Sequence, residues 1–248
     1  MSTISSLALC LSIVATPLLA QEGGAPAPET TPVVIETAAG DITVALETER
    51  APITTANFLR YVDEDRFDGI VFYRAMKLDW DQPNGLIQAG TQYDPERILP
   101  PIAHEPTSQT GVLHQKGTIS MAREAPGTAT GDWSIWLGDQ PFQDADPDNA
   151  DPERRAGYAA FGHVTDGWET VLAIHAMPTD PDKGEGWMKG QMLAEPVTII
   201  DIRRLFKAVV GAVGLAQCGI EPRIIGFQIG MVEDAATVHH RQPVGIEP

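Results

Sequence analysis

The apolar positions of this chain fall in short runs bounded by Gly, Pro, Asp or Asn, and only two stretches carry the spacing of a helix. Residues 33–37 and 42–47 are rich in β-branched side chains and flank Ala38-Ala39-Gly40-Asp41, which predicts an antiparallel hairpin. Over residues 51–62, Pro52 suits a first helical position, and Ile53, Ala56, Phe58, Leu59 and Val62 recur at helical intervals. That helix is expected to lay its apolar stripe over one end of a sheet. Further short apolar runs follow at 70–76, 86–89, 118–122, 133–137, 159–164 and 196–202. A second helix is expected over residues 167–177, burying Trp168, Val171, Leu172, Ile174 and His175. Many short strands separated by turn signals predict a mainly β domain, a sandwich or a barrel.

The two ends differ from this pattern. Residues 7–20 form an apolar run too short to span a bilayer and ending in small residues, which predicts a secretory signal over 1–20, cleaved after Ala20. Residues 21–32 have the composition of a flexible linker, so the folded domain is expected over 33–205 of an exported, periplasmic protein. Residues 206–248 show neither alternation nor a sustained helical stripe and stand apart as a C-terminal extension. Cys10 would leave with the signal, and Cys218 then has no intramolecular partner, so stability must come from packing.

Composition changes the picture in two respects. A hydrophobic fraction of 43% supports a real core, while 20 prolines and 23 glycines fit many turns better than long helices. A formal net charge of -17 argues against nucleic acid or an anionic membrane surface as a partner, since phosphate binding needs clustered Lys and Arg. Metal chemistry finds little support. No histidine pair has helical metal spacing, and the acidic run from Asp144 to Glu153 lacks a loop glycine and has Arg155 where a bidentate Glu would stand. No Gly-x-Ser-x-Gly elbow nominates a serine nucleophile.

Four segments carry the candidate chemistry: Val71-Phe72-Tyr73-Arg74, Leu86-Ile87-Gln88-Ala89-Gly90, Gly117-Thr118-Ile119-Ser120-Met121-Ala122-Arg123 and Gly157-Tyr158-Ala159-Ala160-Phe161-Gly162-His163-Val164. An arginine in a strand among Phe, Tyr and Met is expected to face a surface or cleft, because a buried, unpaired guanidinium is very unfavourable. Taken in order, with the opening hairpin, the Ala51-Pro52 helix start running to Asn57-Phe58 and a closing strand, these segments resemble the cyclophilin family of peptidyl-prolyl isomerases over about residues 33–205. Met121-Ala122-Arg123 and a Tyr158 near Phe161-Gly162 look like the bacterial periplasmic members.

The resemblance implies an eight-stranded antiparallel closed barrel capped by two α-helices, with the active face on its outside. It implies Arg74 as the group that stabilises the prolyl nitrogen in a twisted amide, and Gln88 as the residue that orients it. No cofactor or metal is needed. Proline-containing peptides and unfolded exported proteins are the implied partners, with no membrane association after signal cleavage, and a closed barrel without free edges makes a monomer the expectation. For the pocket that holds the proline ring, the resemblance points to Phe72, Leu86, Ala122, Ser134, Phe142 and Tyr158. Here the chain departs from the family: Gly85 and Ser134 stand where phenylalanines are usual, and Gln143 replaces a leucine. Trp136 shares a strand face with Ser134, and Trp80 lies in an insertion before Gly85, so these two indoles are candidates to rebuild the pocket, or else pack elsewhere. Two function classes follow. Arg74 and Gln88 favour a working isomerase; Gly85, Ser134 and Gln143 favour a proline-peptide binding module with little turnover.

Overall fold

The computed structural model describes residues 27–78 and 83–205. The expected signal, residues 21–26 of the linker, Trp80 and the C-terminal extension lie outside the described residues. Strands β1 (Thr31–Thr37) and β2 (Gly40–Leu46) form the opening hairpin, followed by α1 (Pro52–Asp63), β3 (Val71–Lys77) and β4 (Gly85–Gly90). After a one-turn α2 (Thr107–Thr110) come β5 (Thr118–Met121), β6 (Trp133–Trp136) and a short α3 (Pro152–Ala156). The remainder is β7 (Ala160–Asp166), α4 (Trp168–Ala176), β8 (Thr179–Asp180), a 3-10 turn (Gly186–Met188) and β9 (Met192–Arg204).

The strands pair in the order β1-β2-β7-β5-β6-β4-β3-β9, and β9 returns to β1, so eight strands close into a barrel; the two-residue β8 is a flap on β9. All pairings are antiparallel. Closure gives every barrel strand two neighbours and removes the free edges of an open sheet. Alternate side chains fill the interior, among them Val33, Ile35, Ile42, Val44, Ile87, Ile119 and Ile135.

The helices close opposite ends, because β2 runs from the α4 end at Gly40, where the backbone lies against Thr170, to the α1 end just before Pro52. From α1, Phe58 enters an aromatic cluster with Phe67, Trp133 and Phe161 at ring separations of 5.1, 5.8 and 5.5 Å. The expected stripe of α1 is corrected in part: Ile53 and Ala56 are exposed, while Thr54 and Thr55 are buried. The reason is tertiary. The carboxylate of Glu105, itself buried, accepts from Ile53 N (3.1 Å), Thr54 N (2.8 Å) and the Thr54 hydroxyl (2.8 Å), which turns Thr54 inward. Ala51, at the N-cap position, has no side chain able to do this. In α4, Val171, Ile174 and His175 are buried as expected, and Trp168 and Leu172 pack partly buried against the core.

Candidate active site

Where Ala75, Ile87, Ile135 and Ile119 point into the barrel, the residues one step along each strand point out. Arg74 and Met76 of β3, Leu86 and Gln88 of β4, Ser134 and Trp136 of β6 and Ser120 of β5 thereby line a cavity of about 150 Å³ on the outer face. Met121, Ala122, Arg123, Gln143, Tyr158 and Trp187 complete it. The cavity thus brings together Arg74, Gln88, Leu86, Ala122, Ser134, Trp136 and Tyr158 of the residues expected from sequence.

Phe72 is a correction. It opposes Ala89 on β4 while Arg74 opposes Gln88, so β3 carries one extra residue, Tyr73, at a bulge. A bulge reverses the alternation beyond it. Phe72 therefore faces inward, fully buried, with its ring edge-on to Trp133 at 5.4 Å, although it is two residues from the outward-facing Arg74. Phe142 is a second correction: it is 74% exposed, outside the cavity lining, and is covered on one face by Arg154 at 5.1 Å.

Arg74 is 2% exposed, yet its charge is well provided for. It donates from NH1 to Gln88 Oε1 (2.6 Å), from Nε and NH2 to Gln191 Oε1 (2.9 and 2.6 Å) and from NH2 to Met76 Sδ (3.6 Å). The Trp187 indole lies over the guanidinium, 4.5 Å from ring centroid to Cζ. Burial pushes the Arg74 guanidinium down from 12.5 to about 10, against smaller upward effects of Tyr73 and Tyr158, so it remains a cation at neutral pH. Sequence reasoning missed Trp187 and Gln191. The available signal was a lone Trp between Gly184, Gly186 and Gly190 in an otherwise polar loop.

Gly85 has a physical reason for being bare. Its φ is +122°, and a Cβ there would meet the Met76 carbonyl oxygen at 1.9 Å, so no aromatic ring can stand at this position. The floor of the cavity is braced by a hydrogen-bonded chain: the His114 ring pairs through Nδ1 with Asp144 (2.7 Å) and through Nε2 with Ser120 Oγ (2.8 Å). Asp144 is thus tied to His114, and Asp151 caps α3, which accounts for two members of the acidic run. Opposite Arg74, Arg123 stacks on Tyr158 at 4.5 Å and donates to Gly157 O (2.6 Å) and Glu153 (2.9 Å).

Beside the bulge, Tyr73 donates to Asp132 Oδ1 (2.9 Å), which also receives Gln92 N (3.2 Å). Burial raises the Asp132 carboxyl above its ordinary 3.8, with the bonds from Tyr73, Gln92 and Thr91 acting in the opposite direction. A carboxyl raised on folding holds its proton more tightly in the folded state, so its contribution to stability is largest in acid and declines as pH rises through its folded pKa. The stability of Asp132→Asn relative to wild type is therefore expected to increase with pH above 3.8, as read from urea unfolding across a pH series. A difference that stays flat or falls would show that Asp132 is not destabilised by burial.

The chain is similar to known proteins of one family. Residues 32–203 match the family described as cyclophilin type peptidyl-prolyl cis-trans isomerase/CLD. A peptidyl-prolyl cis-trans isomerase of Acinetobacter baylyi is 31% identical over 177 residues, covering 70% of this chain and 85% of its own. Peptidyl-prolyl cis-trans isomerase A of Dickeya dadantii is 31% identical over 154 residues, covering 60% of this chain and 74% of its own. The crystal structure of a Cryptosporidium parvum cyclophilin type peptidyl-prolyl cis-trans isomerase superposes with a TM-score of 0.55 at 21% identity, covering 72% of this chain and 99% of that one. The same Cryptosporidium protein has been solved in the presence of the dipeptide Ala-Pro.

Proposed function

Because this chain belongs to the cyclophilin family and is a peptidyl-prolyl cis-trans isomerase, we propose that it acts on exported chains, with Arg74 as the catalytic cation and Gln88 as its orienter. An X-Pro bond rotates over a barrier of ~18–20 kcal/mol because resonance gives it double-bond character. As the bond twists, the prolyl nitrogen becomes pyramidal and regains its lone pair. A guanidinium N–H directed at that nitrogen interacts more strongly with the twisted state than with either planar state, and this difference is what accelerates rotation. The observation that carries the reading is the donor count on Arg74. Of the five N–H donors of a guanidinium, four meet Gln88, Gln191 (twice) and Met76 among the described residues, which leaves one NH1 hydrogen for substrate.

The proline ring is assigned to the apolar side of the cavity, against Leu86, Ala122, Trp136 and Tyr158. The Ala-Pro dipeptide used with the Cryptosporidium relative supports a proline segment as the ligand. Export rests on the apolar run over residues 7–20 and on the tether-like composition of 21–32. A closed barrel favours a monomer.

Ser134 and the bare Gly85 favour a second reading, a barrel that binds proline segments with little turnover. A protease-coupled assay on a proline tetrapeptide, run on chain recovered from the periplasmic fraction, separates them. Faster cis-to-trans conversion than the uncatalysed tens of seconds, by a chain beginning at Gln21, is expected. An uncatalysed rate with intact peptide binding would leave the binding module; an unprocessed chain outside that fraction would overturn export.

A further inference from the structure

We propose that Gln191 is a positioning residue for the catalytic arginine and that Trp187 covers it, making the loop from Lys183 to Gln191 a working part of the isomerase site; this rests on the isomerase reading above. Gln191 reaches Arg74 across 117 residues and accepts from two nitrogens of the same edge of the guanidinium, Nε and NH2, while Gln88 accepts from NH1. One glutamine alone leaves the guanidinium free to turn about its last side-chain torsion. Two acceptors on two edges hold its plane, and the indole at 4.5 Å covers one face.

Gln191 is itself held in advance of any ligand. Its carbonyl accepts from Ala75 N (2.9 Å), its own N–H donates to Met188 O (3.1 Å), and its side-chain Nε2 donates to Trp187 O (2.8 Å). The loop closes on itself through Gly190 N to Lys183 O (2.9 Å) and Met188 N to Glu185 O (3.0 Å). Gly184 turns at φ +87°, where a Cβ would stand 2.6 Å from the Met188 carbonyl oxygen, so the turn requires glycine. Pro196 lacks an N–H, and the pairing of β3 with β9 skips from Val197 to Met192 across it, which seats Gln191 beside Arg74. Trp187 is 72% exposed despite lining the cavity, so the rest of its ring is open to the apolar side of a bound proline peptide.

Gln191→Met keeps length and volume but removes the acceptor. Measured by exchange NMR on an X-Pro peptide, it is expected to lower the catalysed rate constant at saturation at least about tenfold, since both hydrogen bonds from Arg74 to Gln191 are lost, with KM nearly unchanged. Trp187→Ala is expected instead to raise KM about threefold. In an Arg74→Ala background, Gln191→Met should have no further effect, since it acts through the arginine. The Arg74 Nε–H signal should exchange slowly with water in wild type, lose that protection in Gln191→Met and regain it in Gln191→Glu. Undiminished turnover in Gln191→Met, or an equal loss in the Arg74→Ala background, would overturn the proposal while leaving the isomerase reading intact. Wild type without turnover would overturn both.

Discussion

Arg74→Ala is expected to lower kcat/KM for an X-Pro peptide by about 10²–10³-fold, the usual effect of removing one preorganised donor aimed at developing charge. The size follows from where the side chain sits. A guanidinium in water would be screened and would reorganise as the amide twists; Arg74 is buried, fixed by two glutamines and covered by an indole before substrate arrives. The loss should appear mainly in the catalysed rate constant, because the planar ground state makes little use of the donor. Arg74→Lys should recover little: a point ammonium cannot meet Gln88 and Gln191 and still present a hydrogen to the prolyl nitrogen. Activity should also fall as pH rises through about 10, where the guanidinium loses its charge, and stay level through neutrality as far as Arg74 is concerned. An Arg74→Ala enzyme within about threefold of wild type would remove the arginine from the mechanism.

Glu105→Ala is expected to destabilise the domain by about 3 kcal/mol, or about 10 °C in Tm. The first N–H groups of a helix have no partner within it, and Ala51 offers none. Glu105 supplies a distant cap, bonding two of those N–H groups and the Thr54 hydroxyl from more than fifty residues away, with its negative charge at the positive end of α1. Glu105→Gln keeps one acceptor oxygen and should lose only part of this, about 1 kcal/mol. Turnover per folded molecule should be unchanged in both, since α1 closes one end of the barrel and contributes nothing to the cavity lining. A urea-unfolding loss below about 1 kcal/mol for Glu105→Ala would mean that water caps the helix equally well.

The elements of the barrel were largely legible because strand formation here is a local matter. Runs of β-branched residues bounded by turn signals become β1 to β7 close to their expected limits, and α1 and α4 start at Pro52 and just after Gly167, close to where they were expected. Less legible was β9, which begins at Met192 rather than near Pro196, together with β8 and the turn carrying Trp187. These short pieces exist through backbone bonds to one another and to β3, and such bonds leave no periodic trace in the residues that make them.

The candidate site divides in the same way. Arg74 and Gln88 sit on adjacent strands in register, so two local motifs and the family's barrel suffice to bring them together. Trp136 follows from Ser134 by alternation along one strand. Phe72 fails the same rule because the bulge at Tyr73 belongs to the pairing of β3 with its neighbours, and no residue type at that position announces it.

Sequence by itself indicated the strands β1 to β7 and the helices α1 and α4, and its resemblance to one family pointed to Arg74 and Gln88 as partners in a candidate site. The tertiary structure alone decided what surrounds that pair. Which ring packs inward, which glutamine holds the second edge of Arg74, and which indole covers it depend on groups brought together by closure of the barrel across 117 residues of chain, where local propensity carries no information.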